Sequence, residues 1–210
     1  RASKGLSHDT GMRKSELVSA LGTHALTISS VAVLVEGKLY LRPTQAQLAE
    51  LLHPGHKTWY LVITPPPSKA DPFGIVWGSL PIYLPYQDKP GNTARLVARC
   101  LQLRPEARPE EPLLCAAPGK PFTHSFLDSL LPAWLRAAGM SGLQAKLYSW
   151  HSGRAFLCCA LVASGRTTAE IQALVRWQSA DSIRVYNALN PATYASHILA
   201  ARRATVAGIR

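Results

Sequence analysis

The most informative stretch of the chain reads Trp150-His151-Ser152-Gly153-Arg154, and it is followed by Arg176-Trp177 and Val185-Tyr186. His151 and Arg154 are one turn apart in a predicted helix, so both side chains can face the same point. A guanidinium binds two phosphate oxygens through its planar fork, an imidazole titrates near neutrality, and a phenolic oxygen can act as a nucleophile. With the indole N–H of Trp177, this combination of groups is suited to chemistry at a phosphodiester.

The pattern along the rest of the chain predicts a mostly α-helical fold with a small antiparallel β-sheet, an α+β architecture. Runs rich in β-branched and aromatic residues predict strands at 31–35, 38–41, 59–64 and 75–84. The first two strands flank Glu36-Gly37, which predicts a hairpin turn. Apolar periodicity and capping residues predict helices at 9–22, 44–52, 93–103, 125–138, 149–164, 168–176, 180–188 and 192–204. The proline-containing stretch 104–112 is expected to be a surface linker.

Composition limits the class of protein. The 210 residues include 47% hydrophobic residues, which excludes wholesale disorder and suffices for one packed core. The longest apolar stretch, 155–163, is about half as long as a bilayer-spanning helix. No secretory leader is recognisable, and the four cysteines lack zinc-site spacing, so we expect free, buried thiols in an intracellular protein. Because the first residue is Arg1, we expect a fragment of a longer chain.

The charge indicates a polyanionic partner. The formal net charge is +11, and from residue 145 onward eight basic residues stand against two acidic ones. A basic protein surface attracts nucleic acid, with a generically solubilising surface as the alternative. Double-stranded DNA is therefore the expected partner, and no membrane association is expected.

From residue 11 to about residue 191 the chain resembles the catalytic domain of the tyrosine recombinase (phage integrase) family. The spacings from His151 through Arg154 and Trp177 to Tyr186 are the most specific part of the resemblance. The two other matching motifs are Gly11-Met12-Arg13-Lys14-Ser15-Glu16-Leu17, similar to the family's first arginine motif, and Ser68-Lys69-Ala70-Asp71-Pro72-Phe73-Gly74, similar to its β-hairpin loop. The loop and the stretch 171–177 are similar to recombinases of eukaryotic DIRS-like and Crypton-like mobile elements, which would imply a nuclear location.

The resemblance implies a site-specific DNA recombinase or integrase that needs no metal and no nucleotide. Tyr186 would attack a DNA phosphate, giving a 3′-phosphotyrosyl link and a free 5′-hydroxyl. Arg13 and Arg154 would hold the non-bridging oxygens of that phosphate. Because the phosphotyrosyl bond retains the energy of the broken bond, a second 5′-hydroxyl can reverse the step.

The resemblance also implies supporting roles for four residues. Lys69 would be the general acid toward the leaving 5′-oxygen, and His151 the base or proton shuttle. Trp177 would donate a hydrogen bond to a phosphate oxygen or buttress the tyrosine helix. Glu16 would support the first arginine.

Each assignment has an alternative. Arg13 could be an exposed helix arginine paired with an acidic neighbour, Glu16 or Glu50, and Trp177 could be a core aromatic residue. Lys57 is the rival of Lys69. Tyr194 is the rival nucleophile, although it misses the spacing from Trp177.

The chain departs from the family pattern in three ways that bear on whether the domain is intact and catalytically active. The stretch 1–10 is polar, so the apolar helix that usually precedes the first arginine motif is expected to be absent or altered. Gly153 stands where a large apolar residue is frequent. Residues 1–210 form a single expected catalytic domain, without the N-terminal core-binding domain that normally precedes it.

The last part of the chain predicts an assembly. Asn190 and Pro191 start a helix over 190–206 with one apolar stripe. In related recombinases such a helix docks into the neighbouring subunit, which predicts a tetramer on DNA; the alternative is that the stripe folds onto its own domain. Two other function classes stay open: a catalytically decayed DNA-binding domain, and a type IB topoisomerase-like enzyme.

Overall fold

The computed structural model describes residues 1–18, 25–53, 55, 58–67, 71–73, 75–76, 80–117, 120–186 and 198–199. The helices in this part of the chain are α1 (Ala2–Thr10), α2 (Lys14–Leu17), α3 (Gln45–Leu51), α4 (Thr93–Gln102), α5 (His124–Ala137), α6 (Gly142–Ala145), α7 (Trp150–Ala163), α8 (Thr168–Val175) and α9 (Asp181–Tyr186). The strands are β1 (Val31–Val35), β2 (Lys38–Tyr40), β3 (Trp59–Ile63), β4 (Ile82–Pro85), β5 (Cys115–Ala117) and β6 (Lys120–Pro121).

The main sheet is antiparallel, with the strand order β2-β1-β3-β4. Glu36 and Gly37 connect β1 to β2 with φ angles of 48° and 81°, which suit the twist of a tight hairpin and confirm the predicted turn. Across the sheet Val33 pairs with Leu61, and Leu61 pairs with Leu84, and all three side chains are buried. The predicted fold class, mostly α with a small antiparallel sheet, is confirmed.

Helix α7 joins two hydrophobic clusters. Its first residue, Trp150, belongs to the large cluster formed with the sheet, α1 and α4. Two turns later, Cys158 belongs to a second cluster that α7 shares with α8 and α9, including Ile171 and Ile183. The buried face of α7 therefore anchors the sheet-containing part of the domain to its last helices.

The start of the chain differs from the prediction. Helix α1 ends at Thr10 because Gly11 takes the left-handed conformation, with φ of 63°. The Thr10 hydroxyl donates to the carbonyl of Leu6 at 2.5 Å and accepts the N–H of Met12 at 3.2 Å, which turns the chain. The helix predicted over 9–22 is therefore wrong, and α2 is a separate short helix.

The polar sequence of residues 1–10 led to the expectation of an absent or altered helix. A helix, α1, is present, and it packs on α7 through small polar side chains in place of large apolar ones. The Ser7 hydroxyl donates to the carbonyl of Trp150 at 3.3 Å. An ideal Cβ placed on Gly153 would lie 2.9 Å from Ser7 Oγ, so glycine at this position permits the close approach of the two helices.

The other predicted helices and strands in the described ranges agree with the structure, except for the strand predicted over 75–84. Of the strand predicted over 75–84, residues 82–84 lie in β4 (Ile82–Pro85), residues 75, 76, 80 and 81 are not in a strand, and residues 77–79 lie outside the described residues. The carboxylate of Asp71 accepts hydrogen bonds from the backbone N–H groups of Ile75 and Val76 at 2.8 and 3.1 Å. These two N–H groups are therefore not used to pair with a neighbouring strand. The strands β5 and β6 and the helix α6 were not predicted.

Two compositional expectations can be compared with the described residues. None of the four cysteines, all of which the structure describes, forms a disulfide, but among them only Cys158 is buried, and Cys159 is exposed. Within the described ranges, no helix has the length and apolar character needed to cross a membrane. The predicted C-terminal helix lies outside the described residues, apart from Ile198 and Leu199, which are helical.

Candidate active site

Arg154 lies in the middle of the buried face of α7, and its side chain is 2% exposed. Its guanidinium donates to the carbonyl oxygens of Gly11 at 2.8 Å and of Val175 at 2.5 Å. A longer contact of 3.4 Å reaches the carbonyl of Arg176. Arg154 thus ties α7 to the end of α1 and to the end of α8.

Trp177 packs against this arginine. The Cζ atom of Arg154 is 5.2 Å from the centre of the Trp177 ring, within cation–π range. The indole is 6% exposed and belongs to the second hydrophobic cluster, so the alternative of a core aromatic residue agrees with its burial. The backbone N–H of Trp177 donates to the carbonyl of Gln172 at 3.0 Å, which fixes the residue at the end of α8.

Arg13 is the N-cap of the short helix α2, and Glu16 holds it in this position. A carboxylate oxygen of Glu16 accepts the backbone N–H of Arg13 at 2.6 Å, while the guanidinium of Arg13 lies 3.7 Å from the other oxygen. The Arg13 side chain is 35% exposed, and Glu16 is 2% exposed. Arg13 therefore pairs with Glu16, as the alternative interpretation expected. Its guanidinium is nevertheless partly accessible to solvent.

Glu16 has a second basic neighbour that the sequence analysis did not assign to the site. The Nη2 atom of Arg176 contacts a Glu16 oxygen at 3.3 Å, and both side chains are buried. Burial lowers the pKa of the Arg176 guanidinium, and the charge of Glu16 opposes this effect. In the sequence, the feature that could have indicated a site role for Arg176 was its position immediately before Trp177.

His151 lies in the first turn of α7, one turn before Arg154, and its side chain is exposed. The hydroxyl of Ser149 accepts its backbone N–H at 3.3 Å and caps the helix. Partial burial lowers the pKa of His151 below its usual value of 6.5, and the charges of Arg154 and Arg13 lower it further. The imidazole is thus neutral at pH 7 and able to accept a proton.

Arg13, His151 and Arg154 line one open cavity of about 350 Å³. The structure therefore brings Arg13 to two residues of α7 that are far from it in sequence, His151 and Arg154, with Trp177 behind Arg154. The other lining residues are Met12, Lys14, Ser15, His124, Asp128, Ser149 and Trp150. Two basic side chains and a neutral imidazole at one cavity form a site that can bind an anion and move a proton.

Lys14 and Asp128 form an ion pair at this cavity, at 2.8 Å between Nζ and a carboxylate oxygen. His124 lies beside them, with its Nε2 atom 2.9 Å from the carbonyl oxygen of Val18. No role was predicted for these residues from the sequence. Lys14 is a lysine within the first arginine motif, which was the available signal.

Other predicted site residues are not placed. Lys69 and its rival Lys57 lie outside the described residues, as does Tyr194. Tyr186 is the last residue of α9, and only its backbone is described. In the part of the chain that the structure describes, no group of three His, Cys, Asp or Glu residues is arranged to hold a metal ion.

No protein-family model and no curated protein matches the chain. Solved structures do match it. The chain is similar to the Tn1549 transposon integrase in complex with transposon right end DNA, with 14% identity, a TM-score of 0.53, and coverage of 97% of this chain and 58% of that one. The same integrase in complex with circular intermediate DNA matches with 15% identity, a TM-score of 0.53, and coverage of 95% and 59%.

These likenesses establish the fold. Helices and sheet are arranged as in an integrase crystallised with DNA, although few residues are identical. The chain spans less than two thirds of the length of the integrase chains that it matches.

Proposed function

We propose that this chain is a tyrosine recombinase catalytic domain that cuts and rejoins DNA through a 3′-phosphotyrosyl intermediate. The observation that carries the proposal is the convergence of Arg13, His151 and Arg154 on one cavity within an integrase-like fold. The formal charge of +11 supports DNA as the partner.

In this proposal the two arginines bind the phosphate that reacts. Arg13 has a partly exposed guanidinium that can contact the phosphate. The buried guanidinium of Arg154, which packs against Trp177, contributes positive charge behind the cavity wall. Charge builds on the non-bridging oxygens in the transition state, so the accessible donors of Arg13 and the nearby positive charge of Arg154 lower the barrier. Removing one such donor typically raises the activation free energy by about 3–4 kcal/mol.

The proton transfers are assigned to His151 and to Lys69. The hydroxyl of Tyr186 loses its proton as its oxygen attacks phosphorus, and His151, neutral at pH 7, accepts that proton. The bond to the 5′-oxygen breaks, and Lys69 protonates this oxygen as it leaves. Each such transfer is typically worth about 10²–10⁴ in rate.

The experiment is covalent trapping on DNA. A pool of nicked duplexes with a randomised centre is used, because cleavage next to the nick releases a short strand and prevents reversal. We expect a protein–DNA adduct that survives denaturing gel electrophoresis, and no adduct with Tyr186→Phe. Tyr194→Phe is the matched control and retains the adduct; adducts that persist in Tyr186→Phe transfer the role to another residue.

A specific observation favours a second candidate, a DNA-binding domain that no longer cuts. The guanidinium of Arg154 is 2% exposed and donates to backbone carbonyls, which is a structural use of the side chain. This candidate predicts strongly salt-dependent DNA binding with no adduct. A type IB topoisomerase-like activity would instead relax a supercoiled plasmid.

The finer proposals concern origin and assembly. Similarity to recombinases of DIRS-like and Crypton-like elements, a nuclear location and a tetramer on DNA remain parts of the proposal. Residues 1–210 are taken as one catalytic domain.

A further inference from the structure

Arg176 adopts a backbone conformation that favours glycine. It caps the C-terminus of α8 with φ of 54° and ψ of 57°. Among the described non-glycine residues, only Glu36, in the hairpin turn, also has a positive φ. A side chain in this region crowds the following carbonyl group, so a glycine here would relieve strain.

The side chain of Arg176 makes a contact that glycine could not make. It is buried, and its Nη2 atom reaches Glu16 Oε2 at 3.3 Å, which joins the end of α8 to the first arginine motif. Glu16 is itself 2% exposed. A carboxylate with so little access to water depends on nearby cations and donors for its stability.

The two oxygens of Glu16 are used differently. Oε2 accepts the backbone N–H of Arg13 and contacts Arg176, while the guanidinium of Arg13 stays 3.7 Å from Oε1. The closer guanidinium is therefore that of Arg176. The guanidinium of Arg13 is held more loosely and lines the cavity with His151.

We propose that Arg176 is a positioning residue that neutralises Glu16 and thereby keeps the Arg13 guanidinium available to an anion in the cavity. The anion is a DNA phosphate, a point that rests on the proposed function. Without Arg176, the buried carboxylate would draw Arg13 toward itself and away from the cavity.

The test compares three variants. Arg176→Gly removes the side chain and suits the backbone conformation. Arg176→Gly with Glu16→Gln also removes the buried negative charge. Arg176→Gly with Glu170→Gln is the matched control, because it has the same net charge but alters an exposed residue of α8 that lies away from Glu16.

Two measurements are made on each variant. The first is the pKa of His151 by NMR titration, because Arg13 is one of the charges that lower it. The second is the affinity for a fluorescently labelled DNA duplex. In Arg176→Gly we expect the pKa of His151 to rise and the affinity to fall about tenfold, as for one lost charge-assisted contact.

The double variants decide the outcome. We expect Glu16→Gln to restore both quantities and Glu170→Gln to restore neither. If Glu16→Gln and Glu170→Gln restore the pKa of His151 and the DNA affinity equally, only the net charge matters and the proposal is overturned. An Arg176→Gly protein that behaves as wild type would overturn it too, as would one that stays unfolded even with Glu16→Gln.

Neither measurement requires DNA cleavage. A wild-type protein that forms no covalent adduct contradicts the proposed function, while the coupling between Arg176, Glu16 and Arg13 is still tested by the titration.

Discussion

Arg154 and Trp177 are in direct contact, with the guanidinium carbon 5.2 Å from the centre of the indole ring. Both side chains are almost fully buried. The contact joins α7 to the end of α8 and places a permanent positive charge between two hydrophobic clusters. It links two parts of the proposed site that are distant in sequence, the Arg154 region of α7 and the Trp177 region that follows α8.

Replacing Trp177 by alanine should destabilise the domain by about 3–5 kcal/mol, because the change leaves a cavity beside Arg154. Trp177→Phe keeps most of the packing and should lose less. The free energy of unfolding from urea denaturation measures both effects. A Trp177→Ala protein as stable as wild type, with DNA binding lost, would mean that the indole serves as a ligand and not as part of the core.

Replacing Gly153 by alanine should destabilise the domain by about 1–3 kcal/mol through overpacking. The added Cβ would lie 2.9 Å from Ser7 Oγ and 3.4 Å from the Ser7 backbone, at the α1–α7 contact. Thermal unfolding measures the change. Gly142→Ala is the matched control, because nothing lies within 4 Å of a Cβ there.

Combining Gly153→Ala with Ser7→Ala should recover part of the loss, since the hydroxyl is removed while the backbone contact remains. Equal stability of the Gly153→Ala and Gly142→Ala proteins would show that α1 can move away from α7 at little cost.

The pH dependence should follow His151. Its pKa is lowered in the folded state, by partial burial first and then by Arg154 and Arg13. The folded protein therefore binds fewer protons at this site than the unfolded chain. The contribution of this residue to stability is present above pH 6.5 and is lost as the pH falls through 6.5 toward the folded-state pKa.

For the proposed cleavage, the same shift predicts that the acid limb of the rate profile has its midpoint below pH 6.5. Arg13→Gln should raise the pKa of His151, which NMR titration can measure with His151→Gln for assignment. An unchanged pKa in Arg13→Gln would show that the two side chains do not share the cavity in solution.

The C-terminal helix should mediate assembly on DNA. Ile198 and Leu199 are helical and exposed, so the apolar stripe predicted over 190–206 is accessible at these two positions. We expect Ile198→Asp combined with Leu199→Asp to leave a folded, DNA-binding monomer that forms no tetramer. Sedimentation of the protein–DNA complex measures the assembly.

The control for that experiment is Leu143→Asp, an equally drastic change at a leucine that is 80% exposed in α6. Tetramers that persist in the double variant, or a double variant that does not fold, would show that the helix packs on its own domain.

Local sequence signals were sufficient for the elements that make their own hydrogen bonds. The hairpin at Glu36-Gly37, the helix that Asn92 caps and the helix that Ser149 caps are each determined by residues next to one another in the chain. Their turn and capping chemistry does not depend on distant partners. The grouping of Arg13, His151 and Arg154 was anticipated through the family resemblance, and the structure places all three at one cavity.

Elements that depend on distant partners were decided only by the tertiary structure. Helix α1 has a polar sequence, yet one face of it is buried, because Ser7 packs against Gly153, which is far away in the chain. Likewise, the role proposed for Arg176 depends on its contact with Glu16, a buried carboxylate on another helix. The sequence by itself predicted that Arg13, His151 and Arg154 act at one site. The tertiary structure decided that Arg154 is buried, that Arg13 is open and that Glu16 lies between two arginines, because burial and charge pairing arise only when separate segments pack together.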